Sequence, residues 1–209
     1  MINLNSTNGA DKILLEVANN VLNEFEGNVI GAEFGVAYGG GVEEIGRLWK
    51  DRGIIYGFDT FEKHPDFLAK KDPLCDYSKD SFAARCMDSW YSQYSDSLLT
   101  IEYIQDELNK QNLNNVILKK GLIDEETNID YIDKLHYALL DLDIPISMQY
   151  AYNAIKNKII KGAYLCFHDV VPDGHINGLY EFYQNILHND GYELINEYPK
   201  SYLAVLKKI

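Results

Sequence analysis

Three short segments of this 209-residue chain carry the residue types that could do chemistry. LLDLDIP, residues 139–145, ends an apolar run in two carboxylates, Asp141 and Asp143, and LCFHDV, residues 165–170, ends another in His168 and Asp169. Carboxylates beside an imidazole can take a proton from a hydroxyl or hold a divalent cation. The third segment, NVIGAEFGVAYGGGVEEIGRLW from Asn28 to Trp49, reads as a strand, a glycine-dense turn from Gly35 to Gly41, and a helix carrying Val42, Ile45, Leu48 and Trp49. Glycines let the backbone turn sharply and a ligand approach, and the free amides opening a helix form an anion site.

The spacing selects among ligands. Neither the G-x-G-x-x-G of a dinucleotide fold nor the G-x-x-x-x-G-K-[ST] of a P-loop can be read through Gly35, Gly39, Gly40 and Gly41. Glu33 instead precedes the first glycine by two residues, so an acid could receive an ammonium while the loop amides receive a carboxylate. An amino-acid moiety carries both groups, and S-adenosylmethionine (SAM) has one. A plain turn after a buried strand is the alternative. A second strand, Gly53 to Phe58, stops at Asp59, where an acid could accept both hydroxyls of a ribose or cap the next turn. His175, in the loop VPDGHING, is a further candidate base or an ordinary surface histidine.

The elements that must position these residues follow from periodicity. Ile13, Leu14, Val17, Val21, Leu22 and Phe25 mark an amphipathic N-terminal helix that packs on the first strand or on a partner subunit, making a homodimer a reasonable expectation. Lys63 to Ser97, with Pro65, Pro73, Trp90, Tyr91 and Tyr94, is too long for a simple crossover and reads as a lid or substrate cap over about 62–97. A helix from Leu98 to about Asn112 and a strand in NNVILKKG follow, and the turn Leu122, Ile123, Asp124 is where a base ring could lie. HYALLDLDIP gives the fourth strand, Ser147 to Ile160 a helix, KGAYLCFHDV the fifth strand, Gly178 to His188 a helix, and YELINEYPKSYLAVLKK two strands across a proline turn. Three acids and an imidazole thereby reach the carboxyl edges of adjacent strands beside the glycine turn, where open α/β sheets bind ligands.

Composition bounds the partners. A net charge of −13 repels phosphate backbones, so nucleic acid is an unsuitable substrate. Cys75, Cys86 and Cys166 show no metal spacing and an odd count, which favours reduced thiols and a cytoplasmic setting. No signal peptide opens the chain and no apolar run approaches a membrane span, so no membrane partner is expected.

EFGVAYGG, YGFDTFE, LLDLD and GAYLCFHDV resemble the macrocin (TylF-like) O-methyltransferases, within the class I SAM-dependent methyltransferases, over roughly Asn28 to Val171. The resemblance implies an α/β fold with a Rossmann-like doubly wound sheet, mostly parallel with an antiparallel C-terminal strand, in one domain spanning 1–209. It also implies SAM as cofactor and a hydroxyl of a small molecule or glycan, foremost a sugar, as acceptor. Carried onto this chain, Glu33, Gly35, Tyr38 and Gly39 would hold the methionine part of SAM, Asp59 and Thr60 the ribose, and Leu122 and Ile123 the adenine. Asp141, itself also beside the cofactor, and Asp169 would be metal carboxylates. Where relatives place two adjacent acids this chain has His168-Asp169-Val170, so either His168 takes a coordination position or the metal is weak or absent. Oxygen ligands suit Mg²⁺; an imidazole shifts preference toward transition metals. Asp141, His168 and Asp169 are the expected catalytic group, with His168 the leading base if no metal binds. A phenolic or other natural-product hydroxyl as acceptor, a nucleotide-sugar or nicotinamide enzyme, and a non-catalytic SAM-binding protein stay open as alternatives.

Overall fold

The computed structural model describes residues 9–62, 100–170 and 178–209; the expected lid, His175, Cys75 and Cys86 lie outside them. Seven strands, β1 (Val29–Phe34), β2 (Gly53–Asp59), β3 (Val116–Lys120), β4 (Leu135–Leu140), β5 (Ile159–His168), β6 (Tyr192–Tyr198) and β7 (Leu203–Lys208), join one sheet. Their order is β3-β2-β1-β4-β5-β7-β6. β1 to β5 are parallel, and β7 runs antiparallel to both β5 and β6. Chain order proceeds outward from the β1–β4 pair through β2 and β3 on one side and through β5 on the other, where β7 then inserts between β5 and β6. The carboxyl ends of β1 and β4 therefore border the crevice that this topology leaves open.

Helices α1 (Gly9–Glu24), α2 (Gly40–Leu48) and α3 (Ile101–Lys110) cover one face, and α4 (Pro145–Ile155) and α5 (Leu179–Asn189) the other. Leu14, Val17, Ala18 and Val21 of α1 are buried against the sheet with Val29, Tyr137 and Cys166, so the apolar stripe is satisfied within the chain. Trp49 caps α2, fully buried, and donates its indole N–H to the Ala18 carbonyl at 3.0 Å, pinning α1 to α2. Leu48, expected on the apolar face, is 37% exposed because Trp49 fills that place. On the opposite face Phe34 and Phe58 stack at 4.6 Å among Met148, Phe167 and Tyr183.

Several boundaries differ from the pattern in the sequence. α3 begins at Ile101 because Thr100 accepts the Tyr103 N–H at 3.2 Å. α4 ends at Ile155 rather than at Ile160. The Lys158 carbonyl already accepts the Leu135 N–H at 2.7 Å, and Ile159 pairs with Leu135 in the sheet. An Ile-Ile pair fits either period, so the ladder decides. The connection between β3 and β4 contains no helix. Asp124 and Asn128 accept the backbone N–H groups of Glu126 and Asp130 at 2.9 and 2.7 Å, local turns that compete with helical bonding, while Ile129 and Ile132 enter the core. Buried His136 takes the Ile30 N–H on Nδ1 at 3.0 Å, closing the start of the β1–β4 seam; burial and Lys134 hold it below the usual histidine range. No described helix is long and apolar enough to cross a membrane.

Candidate active site at the carboxyl edge

The site is built on a backbone contact. Gly35 follows β1 with φ +93°, and a Cβ there would stand 1.9 Å from the carbonyl oxygen of Asp141, the residue that follows β4. The Asp141 N–H donates to the Phe34 carbonyl and the Gly35 N–H to the Phe58 carbonyl, each at 2.9 Å. The glycine thus lets the end of β4 lie directly against the turn. Gly39, φ +85°, is the N-cap of α2, and a Cβ there would strike Ile104 of α3 at 2.6 Å. Among the described residues no side chain caps α2, which leaves the donors of its first turn at the positive end of the helix for a ligand. Tyr38 sits partly buried in this turn.

Glu33 lies beneath that helix start, 3% exposed, and a Cβ on Gly41 would come within 2.6 Å of its Oε2. Among the described residues Oε2 has no hydrogen-bond partner. Burial, with the charges of Asp141, Asp11 and Asp59, raises its pKa well above the usual carboxylate range. A buried carboxyl oxygen without a partner is costly. Beside it are the uncapped donors of α2, so an ammonium and a carboxylate presented together would satisfy both. The amino-acid part of SAM fits this pair of requirements.

Asp59 forms the turn cap that its position at the end of β2 allows. Its Oδ2 accepts the Val36 and Ala37 N–H groups at 2.8 and 2.9 Å, and its Oδ1 accepts the Phe61 N–H at 2.8 Å and the Thr60 hydroxyl at 3.3 Å. Those bonds use about four acceptor positions, the full capacity of a carboxylate. Burial still pushes its pKa up against them. Asp59 ties the glycine turn to β2, with Ala37 held at φ +48°, and Thr60 serves that tie. The expected ribose contact would have to share oxygens already engaged. Ile123 is 5% exposed and packed in the core, while Leu122 packs beside Ile144 and Ile146 at the edge of the crevice.

The imidazole is gripped by two acids. His168 Nδ1 lies 2.9 Å from Asp141 Oδ1 and 3.3 Å from Asp169 Oδ2. Burial opposes protonation, but Asp141 and Asp169 outweigh it and hold the His168 pKa well above the usual range. Asp169 adopts φ +60°, which turns the chain sharply as it leaves β5. Asp143 hydrogen-bonds to Asp169, and burial with the Asp169 and Asp141 charges pushes its own pKa far up. Donor atoms of Asp141, His168 and Asp169 lie within 4.8 Å of one another. Two carboxylates and one imidazole fit a divalent cation of borderline character better than Mg²⁺.

Glu33, Gly35, Asp141, His168 and Asp169 therefore converge where the sequence pattern places them. Two acids gain a place from the structure. Asp143 was visible as a strand-end carboxylate, though not as a donor to Asp169. Asp11 had no sequence signal, being one acid in the first turn of a helix.

The strand order and the reversed β7 define the class I SAM-dependent methyltransferase fold. The O-methyltransferase NovP shares it with a TM-score of 0.66 at 18% identity over 95% of this chain and 79% of that one. The calicheamicin methyltransferase CalS11 gives 0.64 at 18% over 95% and 78%. Magnesium protoporphyrin IX methyltransferase of Synechocystis PCC 6803, a structure with bound SAM, gives 0.57 at 8% over 100% and 86%. No family model and no curated protein matches the chain in sequence.

Asp59→Ala leaves three backbone donors without their acceptor and should cost roughly 2–4 kcal/mol. Without any ligand, the melting temperature should fall by about 2–4 °C for each kcal/mol; an unchanged value would show that the turn does not depend on this carboxylate. Glu33→Gln should do the reverse. A carboxyl whose pKa is raised by folding loses stability as pH rises above its unfolded value. The ligand-free variant should accordingly melt higher than wild type at pH 8, with the gap shrinking toward pH 5, as read by thermal scans at both pH values.

Proposed function

We propose that this chain is a SAM-dependent O-methyltransferase acting on a small-molecule hydroxyl, foremost that of a sugar. The observation that carries the reading is the position of His168, held by Asp141 and Asp169 at the carboxyl ends of β4 and β5, beside a glycine turn over buried Glu33, whose Oε2 has no hydrogen-bond partner among the described residues. The fold and its O-methyltransferase neighbours support the reaction class. The resemblance of EFGVAYGG, YGFDTFE and LLDLD to the macrocin O-methyltransferases supports the sugar. The net charge of −13 weighs against a nucleic-acid acceptor.

When bound, SAM supplies a methyl group on a sulfonium. The chain's part is to hold its amino-acid end with Glu33 and the first-turn donors of α2, and to keep an acceptor oxygen in line with the methyl carbon. The hydroxyl must lose its proton. With Nδ1–H donated to Asp141, His168 receives that proton at Nε2, and the two carboxylates stabilise the imidazolium that forms. Asp141, His168 and Asp169 are also the residues that would hold a divalent cation, whose chemistry would be to lower the pKa of a bound hydroxyl.

Incubation with SAM and a panel of glycosides and phenols, followed by S-adenosylhomocysteine (SAH) release and product mass, tests the reading. Methylated glycoside is expected, and absence of turnover with every acceptor despite SAH binding would favour a non-catalytic SAM-binding protein. Because the acids raise the His168 pKa, the rate should climb from neutral into alkaline pH. Asp141→Asn removes one of those charges, so its residual activity should rise at lower pH than that of wild type, by about one pH unit or more. His168→Asn should reduce kcat by about 10²–10⁴-fold while SAH affinity stays near wild type. A pH profile unmoved by Asp141→Asn would remove the base role from His168.

A further inference from the structure

The start of α1 is an unexpected contributor to this edge. At its other end Arg52, which precedes β2, donates to the carbonyls of Leu22, Phe25 and Gly27 at 3.0, 2.8 and 3.0 Å, so α1 ends at the amino edge of the sheet. Glu24 accepts the Tyr164 hydroxyl at 2.8 Å, four residues before His168 on β5. The helix climbs about 20 Å from Glu24 back to Asp11 at ~1.5 Å per residue, more than the roughly 13 Å of strand from Tyr164 to His168. Its first turn therefore overhangs the carboxyl ends of β4 and β5. Gly9 confirms the placement, since a Cβ there would meet Ser201 Oγ at 2.8 Å, and the neighbouring Tyr202 carbonyl accepts the Val170 N–H at 3.2 Å.

Asp11 is thereby set among like charges. Asp11 is itself exposed; partial desolvation raises its pKa, His168 lowers it, and Asp141 and Glu44 raise it further. An acid in the first turn of a helix gains at most about 1 kcal/mol from the dipole when exposed, and it would gain that equally on a face without other acids. The second observation is Glu33, which lies 3% exposed with its Oε2 unpartnered and feels the charges of both Asp11 and Asp141. A cation between α1 and the glycine turn would relieve both carboxylates together.

We propose that Asp11 is a ligand for the cofactor's amino-acid moiety, sharing the ammonium with Glu33 and closing the site from the α1 side. The inference rests on the SAM reading above. It separates α1 as a sensor of the amino acid from the elements that hold the nucleoside.

The test is calorimetric titration of wild type and Asp11→Asn with SAH and with 5′-methylthioadenosine, which keeps the nucleoside and thioether but lacks the amino acid. Asp11→Asn should bind SAH roughly 10- to 100-fold more weakly, the loss of one charge-assisted contact, and 5′-methylthioadenosine within about twofold of wild type. Unchanged SAH affinity overturns the proposal, as does an equal loss for both ligands, which would make Asp11 a support of the fold. If wild type binds neither ligand, the SAM reading fails first and the inference falls with it. Wild-type SAH binding combined with an indifferent Asp11→Asn sinks the inference alone.

Discussion

No side chain fits at position 35, and the rest of the site depends on that fact. Because Gly35 lies against the Asp141 carbonyl, the end of β4 meets the turn after β1 with no spacer between them. Glu33 and Asp141, which belong to different strands, then act on one another electrostatically, and β5 beside β4 brings His168 and Asp169 to the same edge. Any residue with a Cβ would push the two strand ends apart or unwind the turn. The Asp59 carboxylate supports the same arrangement from β2 by holding the Val36 and Ala37 amides. The crevice is thus a property of the backbone first and of its side chains second.

That backbone gathers more negative charge than the folded protein gains from. Glu33, Asp59 and Asp143 all have raised pKa values, with burial the leading cause in each. Such crowding is characteristic of sites whose groups are matched to a ligand rather than to stability. His168 is the counter-charge within the chain, and its grip by Asp141 and Asp169 makes it both an oriented base and a group that competes with any divalent cation for the same oxygens. His168 gives the two carboxylates a partner that carries its own proton.

Much of this was legible in the residues. Short apolar runs located β1 and β2, central strands covered on both faces of the sheet, and the 3.6-residue apolar period located α1 and α5, which bury one face each. The pairing of Glu33 with a glycine turn, and of LLDLD with LCFHDV, was readable because strand ends at a sheet edge are determined by where apolar runs stop. What the sequence could not show were facts of tertiary geometry. The saturation of Asp59 depends on amides of a turn 22 and 23 residues away, and its residue type at a strand end reads equally as a ribose acid. The end of α4 was set by a sheet hydrogen bond to Lys158 rather than by helix propensity. Asp11 and His168, far apart in the chain, act on one another electrostatically because the first turn of α1 reaches the edge where β5 ends.

The most direct measurement is calorimetric titration of the wild-type protein with SAM and SAH in EDTA, repeated with Mn²⁺ in place of the chelator. If Glu33 and the opening of α2 form the amino-acid site, both ligands bind with affinities on the order of micromolar in EDTA, since an ammonium and a carboxylate need no metal to be held there. A heat for Mn²⁺ itself would then assign Asp141, His168 and Asp169 to a cation. Absence of binding by both SAM and SAH under either condition would contradict the assignment and leave Gly35 to Gly41 as a structural turn.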